Sequence, residues 1–306
     1  NIFDKFLKDQ IELNQSKCAF PPRLTVFDYY PDLCRMSWAV WADGVSNLNF
    51  TNDNPIYNQM VPTNESASTL FLSKLLLSYG KNFIICGPET LKTLTTTVLM
   101  NNVLNSSVYD CHYLQFSPCT TPDVIKQFMI SNMHKKSGKY GPLPNKKLIY
   151  FFDNMNTIKP VIYGAQPSLE LLNQFNNYHG WYNTKTMEFL NIVETTICGL
   201  MRQPGGGFYN ISDRLMRHYF ILHVPKYKSS VLQQIMNGLM MLHFTKYEQT
   251  IKEMIRSIST ATIDIFDQIN NTLLPVPSKL HYIFGLRSLV RVVRGMLQTN
   301  SSYLTT

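Results

Sequence analysis

A buried parallel strand leaves a recognisable mark: a short, unbroken apolar run that stops on a polar residue. Leu148–Phe152 is such a run, closed by Asp153. Four more segments read as largely apolar or strand-like runs, at Phe83–Cys86, His112–Phe116, Ile192–Leu200 and Phe220–Val224. Between them the spacing predicts helices over Thr93–Asn101, Pro167–Phe175 and Arg214–His218. Another helix opens at Thr121-Pro122, an N-cap followed by proline, and places Ile125, Phe128, Met129 and Met133 on one face. Strands alternating with helices imply βαβ units, so the expected fold is α/β, a five-stranded parallel sheet flanked by helices.

Either side of this stretch the pattern changes. Residues 1–60 are aromatic and polar, with Pro21-Pro22, Pro31 and Pro55 expected to break any long element. They read as an irregular arm with short strands or turns around Thr25–Tyr29 and Met36–Trp41. A helix is predicted over Glu65–Tyr79, with Leu72, Leu75, Leu76 and Tyr79 as its apolar face and Gly80 as its stop. After Pro225 only helices are predicted, over Ser229–Phe244, Glu248–Ile269 and Leu286–Leu297. The expected division is an arm over 1–60, a large α/β domain over 61–225 and a small helical domain over 226–306.

Composition narrows the function classes. With 44% hydrophobic and 16% charged residues, the 306-residue chain suits a folded protein with a sizeable core. Its formal charge of +8 permits an acidic partner, but no run of Lys and Arg reaches the roughly five to eight residues of a nucleic-acid patch. Lys135-Lys136 reads as a solvated surface pair. The six cysteines show no CxxC spacing, and a chain this large needs no disulfide staples, so free thiols are expected. A cysteine–histidine metal site is not expected, since His112, His134, His179 and His243 read as structural or surface residues. No apolar window approaches the about 18 residues of a membrane span, and the N-terminus lacks the form of a signal peptide. The missing initial Met and polar end read as a piece of something longer.

Chemistry is suggested by two segments. A P-loop runs strand, G-x-x-x-x-G-K-[ST], helix: glycines let backbone N–H groups close on phosphate, Lys reaches the outer phosphates, and the hydroxyl holds Mg²⁺. Here the segment is Gly87-Pro88-Glu89-Thr90-Leu91-Lys92-Thr93. Counted from Gly87 it is one residue short; counted without a gap, Cys86 takes the first glycine's place. In both registers Leu91 stands where the second glycine belongs, and its Cβ disfavours the φ > 0 that glycine supplies. Glu89 adds negative charge beside the phosphate position. About 60 residues further on, Asp153 ends an apolar strand in the manner of a Walker B carboxylate, which helps to hold Mg²⁺. The next position commonly carries the glutamate that activates water; here it is Asn154, which cannot accept that proton.

With these go Val61-Pro62-Thr63, Gln115-Phe116-Ser117, Gly138-Lys139-Tyr140-Gly141-Pro142, Asp153-Asn154-Met155-Asn156 and Tyr163-Gly164-Ala165-Gln166-Pro167. Leu169-Glu170-Leu171-Leu172, Gly180-Trp181-Tyr182, Pro204-Gly205-Gly206-Gly207, Arg214-Leu215-Met216-Arg217-His218, Leu274-Pro275-Val276-Pro277 and His281 to Arg287 complete the series. In order and spacing they resemble the AAA+ pattern of dynein heavy chains, nearest the third module of an axonemal, inner-arm-type chain.

The resemblance implies a P-loop AAA+ sheet followed by a helical lid, set in a ring of six unequal modules. It implies that Val61 and Pro62 line an adenine pocket. Gly87, Lys92, Thr93 and Asp153 would meet phosphate, with Thr93 and Asp153 on Mg²⁺. Arg287 would be the lid's sensor arginine, and Arg214 an arginine finger reaching the preceding module. Implied partners are neighbouring AAA+ modules of the same heavy chain and, through the parent protein, microtubules and dynein accessory chains, with no nucleic acid and no membrane. The implied setting is the cytoplasm, the cytoskeleton and the cilium axoneme.

The departures point away from turnover: the altered P-loop, Asn154, Phe208 where the family has Arg after the triple glycine, Asp213 before the finger, and Gly285 before Leu286-Arg287. No sensor Asn stands near Met201–Arg202. ATP or ADP with Mg²⁺ is therefore expected to bind weakly or not at all, in a module that does not hydrolyse it. A slowly hydrolysing module and a scaffold without nucleotide are the alternatives. Gly205-Gly206-Gly207 reads as a mobile loop, Arg217 stays open between structure and function, and Met236, Met240 and Met241 read as helix core.

Overall fold

The computed structural model describes residues 2–13, 20–21, 23–32, 35–45, 59–88, 91–136, 138–184, 186–244, 247, 249–279 and 281–298. Glu89 and Thr90 lie outside them, as do Cys18 and Cys34. The arm is less irregular than expected. It opens with α1 (Ile2–Leu13), followed by a 3-10 turn (Val26–Asp28) and the antiparallel strands β1 (Tyr29–Asp32) and β2 (Ser37–Val40). A short helix, α2 (Trp41–Val45), follows. The prolines that interrupt the arm all come after residue 13, so nothing breaks α1.

Next is α3 (Asn64–Ser78), opened by a reciprocal cap in which Thr63 Oγ1 accepts from Ser66 N–H and Ser66 Oγ accepts from Thr63 N–H. Its buried face is Ala67, Leu70, Ser73 and Leu77, not the predicted one. Leu72 and Leu75 are each 38% exposed and Tyr79 is 71% exposed. Phe71 on the outer side meets the rings of Tyr30 and Trp41, at centroid distances of 5.0 and 5.4 Å. Its leucines and Phe71 are spread round the helix among polar residues, which gives periodicity no single side to choose.

The centre follows as β3 (Phe83–Cys86), α4 (Lys92–Val98) with a π turn over Leu99–Val103, β4 (Tyr109–Gln115) and α5 (Pro122–Ser131). Then come β5 (His134–Lys136), β6 (Lys139–Gly141), β7 (Lys147–Asp153) and, after a 3-10 turn over Met155–Thr157, α6 (Pro167–Tyr178). The strands β8 (Gly180–Tyr182), β9 (Phe189–Ile192) and β10 (Thr195–Met201), helix α7 (Asp213–Met216) and β11 (Phe220–His223) complete it. The parallel sheet has the order β11-β3-β10-β7-β4. Tyr150 and Phe152 of β7 join a cluster with Ile84 and Trp181 on one face, while Ile149 and Phe151 join Phe83, Ile85 and Leu77 on the other. Both faces of β7 are therefore buried, which is why the strand reads as one apolar run.

A second, four-stranded sheet, β5-β6-β9-β8, was not predicted. Three of its strands have only three residues, and those of β5 are all exposed. The predicted strand Ile192–Leu200 is really two, since Glu194 takes φ 53° between β9 and β10. The chain then runs through α8 (Ser229–His243), α9 (Gln249–Thr272) and α10 (Leu286–Met296). Their apolar faces form a third cluster around Ile235, Met236, Met240, Ile263, Leu289 and Val293, which Val61 joins. Met241 does not belong to it and is 54% exposed. No helix among the described residues is long and apolar enough to cross a membrane.

Candidate functional site

The carboxyl ends of β4, β7 and β10 and the start of α4 face a cleft of about 440 Å³ whose other wall is α10. Ligands of open parallel sheets bind at this edge. Lys92, Thr93, Asp153, Asn154 and Arg287 line the cleft together, as do Tyr113, Gln115 and Arg202. Val61, Pro62, Gly87 and Arg214 are not among its lining residues.

Asp153 is set by the sheet. The β4–β7 register pairs Gln115 with Asp153, and the carboxylate is only 6% exposed. Three donors meet it: Thr93 Oγ1 at 2.9 Å and Tyr113 Oη at 2.6 Å, both to Oδ2, and Asn154 N–H at 2.8 Å to Oδ1. A buried carboxylate needs such partners, and hydrogen bonds to a charged group are the strong kind. Burial, reinforced by the adjacent carboxylate, pushes the Tyr113 phenol well above the ordinary tyrosine range, so it stays a donor.

Asn154 sits at φ 56°, ψ 43°, a left-handed turn that Asn tolerates better than most residues. The turn aims its N–H at Asp153 and starts the Met155–Thr157 turn. That turn packs tightly on β10, where a Cβ on Gly199 would lie 2.2 Å from Met155 Sδ. Asn156 then clamps the end of β10, donating through Nδ2 to Arg202 O at 2.7 Å and accepting from Arg202 N–H at 3.3 Å. The Arg202 guanidinium lies over the Phe208 ring at 4.7 Å. Gly205 and Phe208 exchange both backbone hydrogen bonds, making the glycine loop a tight reverse turn.

The loop after β3 differs from expectation in one respect. Leu91 takes φ −76°, an ordinary value, so the predicted conflict between its Cβ and a left-handed backbone does not arise. Its side chain instead packs against the cluster of α8, α9 and α10. Cys86 continues β3, and Gly87 is the residue with special backbone, at φ 154°. A Cβ there would lie 2.2 Å from Val224 O. Lys92 is 7% exposed and turns back on its own loop, donating through Nζ to Gly87 O at 2.9 Å and to Pro88 O.

The remaining predicted residues lie elsewhere. Val61 packs on α8, where a Cβ on Gly238 would come within 2.9 Å of Val61 Cγ1. Pro62 O accepts from Gln234 Nε2 at 3.0 Å. Arg214, 71% exposed, pairs with Glu170 at 2.8 Å. Arg217 donates to Asn177 Oδ1 and to His218 Nε2, within the same chain.

As arranged, these residues do not fit Mg²⁺ well. The ion demands near-octahedral oxygen ligands at about 2.0–2.1 Å, while Asp153 Oδ2 already accepts two hydroxyls. Among the described residues no group of three or more His, Cys, Asp or Glu could hold a metal. Tyr113 and Arg202 were missed in the sequence. The first has no motif, and the second was read only as lacking a neighbouring Asn.

Residues 48–227 match a family described as "P-loop containing dynein motor region". The chain is also similar to curated proteins along nearly its whole length. It is 29% identical to Dynein axonemal heavy chain 12 of Rattus norvegicus, with 96% of the chain and 10% of that protein aligned. It is 31% identical to Dynein axonemal heavy chain 1 of Mus musculus (98% and 8%) and 27% identical to Dynein axonemal heavy chain 6 of Homo sapiens (97% and 7%). The chain spans about a tenth of the length of these relatives.

Proposed function

The chain belongs to the family of P-loop dynein motor regions, and from that premise we propose that it is a ring module which relays conformational change without hydrolysing ATP itself. Its place would be the third AAA+ module of an axonemal heavy chain in the cilium, with residues 1–60 as linking arm, 61–225 as large domain and 226–306 as lid. The parent motor would act on microtubules and carry accessory chains.

One observation carries the reading. The Lys92 ammonium, which in a working P-loop reaches the outer phosphates, is buried against the carbonyls of Gly87 and Pro88. Asn154 supports it, because the position after Asp153 offers a turn-former and no base. Arg214 fits the same proposal as a finger for the preceding module: it is exposed, and its guanidinium pairs with Glu170 of α6.

The contact between Thr93 and Asp153 favours a second reading, a slowly hydrolysing module, because it keeps the two Mg²⁺-side residues together. Turnover of ATP with Mg²⁺ by the 306-residue chain separates the two. The expected result is no phosphate release that Lys92→Ala changes, since loss of a positioned base alone is worth roughly 10²–10⁴ in rate. Release at a rate ordinary for AAA+ enzymes and abolished by Lys92→Ala would favour the second reading.

A further inference from the structure

Tyr113 belongs to none of the motifs, yet it makes the shortest hydrogen bond to Asp153, 2.6 Å to Oδ2. We propose that Tyr113 competes with a divalent cation for Asp153, so that the cleft does not discriminate metal-loaded from metal-free nucleotide. This rests on reading the cleft as the nucleotide site.

The argument is one of lone pairs and register. Because Gln115 pairs with Asp153, Tyr113 stands two residues back on the same face of the sheet, within reach of the carboxylate. A carboxylate has about four lone-pair sites. Thr93 and Tyr113 take those of Oδ2, and Asn154 N–H takes one of Oδ1. Thr93 is the residue that a P-loop itself supplies on the metal side, so its bond is compatible with a cation nearby. Tyr113 is the addition. Its hydroxyl donates where a water in the metal's shell, or the metal itself, needs an acceptor oxygen. Mg²⁺ tolerates little distortion and dehydrates reluctantly, so it gains nothing by approaching a saturated oxygen.

Arg202 and Arg287 line the same cleft and supply positive charge that needs no cation to act on a polyphosphate. Any affinity for nucleotide would then come from these two guanidinium groups and be indifferent to metal.

The test is calorimetric titration of ATP in Mg²⁺ and of ATP in EDTA, with the ratio of the two affinities as readout. Three chains are compared: the native sequence, Tyr113→Phe, which keeps the ring and removes the donor, and Tyr113→Phe with Asp153→Asn. One charge-assisted hydrogen bond corresponds to roughly a 10- to 100-fold change. The native ratio is expected near one, the Tyr113→Phe ratio about 10- to 100-fold higher in favour of Mg²⁺, and the double variant near one again. An unchanged ratio in Tyr113→Phe overturns the proposal, including the case in which neither chain binds in either condition. So does a native ratio that already favours Mg²⁺ by tenfold. If Tyr113→Phe fails to melt cooperatively, Tyr113→Leu gives the same ratio. The ratio is independent of turnover, so the competition can fail while the non-hydrolysing reading stands, and the reverse.

Discussion

The turn after β3 and the turn after β7 lie at the same edge of one sheet, with only β10 between them. At the end of β7, Asp153 is held by register, and its acceptors are met by residues from β4, from α4 and from its own turn. At the end of β3, among the described residues, strand pairing ends at Cys86 and Val224. Leu91 turns to the lid and Lys92 turns inward. Chemistry on a strand end is protected by the sheet's hydrogen bonds. Chemistry in a loop depends on backbone angles that each residue must supply.

The contrast can be broken most directly at Asp153. Asp153→Ala leaves two hydroxyls and the Asn154 N–H, all part-buried, without their acceptor. It is expected to lower stability by about 1–3 kcal/mol in urea unfolding. A loss below about 1 kcal/mol would mean that solvent reaches the carboxylate and that the strand end is no better protected than the loop.

Leu91→Gly sharpens the other side. If packing rather than phosphate chemistry holds this position, removing its contact with the lid cluster and adding glycine's backbone freedom should cost about 1–2 kcal/mol. A stabilised chain, read by the same unfolding curve, would show instead that the leucine strains the loop.

The smallest effect is expected at Arg214. Its ion pair with Glu170 is exposed, so Arg214→Ala should change the stability of the chain by no more than about 0.5 kcal/mol. In an intact ring the same change should alter the nucleotide response of the preceding module. A loss of 1.5 kcal/mol or more in the isolated chain would make Arg214 a structural residue.

The same contrast explains what the sequence could and could not disclose. Leu148–Asp153 was legible because burial on both faces leaves no polar position before the carboxylate. The resemblance assigned Thr93 to phosphate with Mg²⁺ and Arg287 to a sensor role, and both residues line the cleft. Tyr113 was not legible, since its role depends on a strand register that one sequence does not print. The buried face of α3 was misread because leucines surround that helix. The fate of Leu91 could be read only as a misfit for glycine's place. Its ordinary φ and its partners in the lid follow from the tertiary packing. Val61 was assigned to an adenine pocket, and its packing on Gly238 of α8 and membership of the helical core follow from tertiary contacts that the sequence does not print.

Leu91 also bears on how such a loop can change over generations. A side chain that joins the packing of the lid answers to selection on folding, whatever happens at the cleft. A glycine there would come with a less stable chain unless the lid first closed the gap by another route, such as a larger residue among its own apolar neighbours. The order of substitutions is thereby constrained: the lid must change before the loop can.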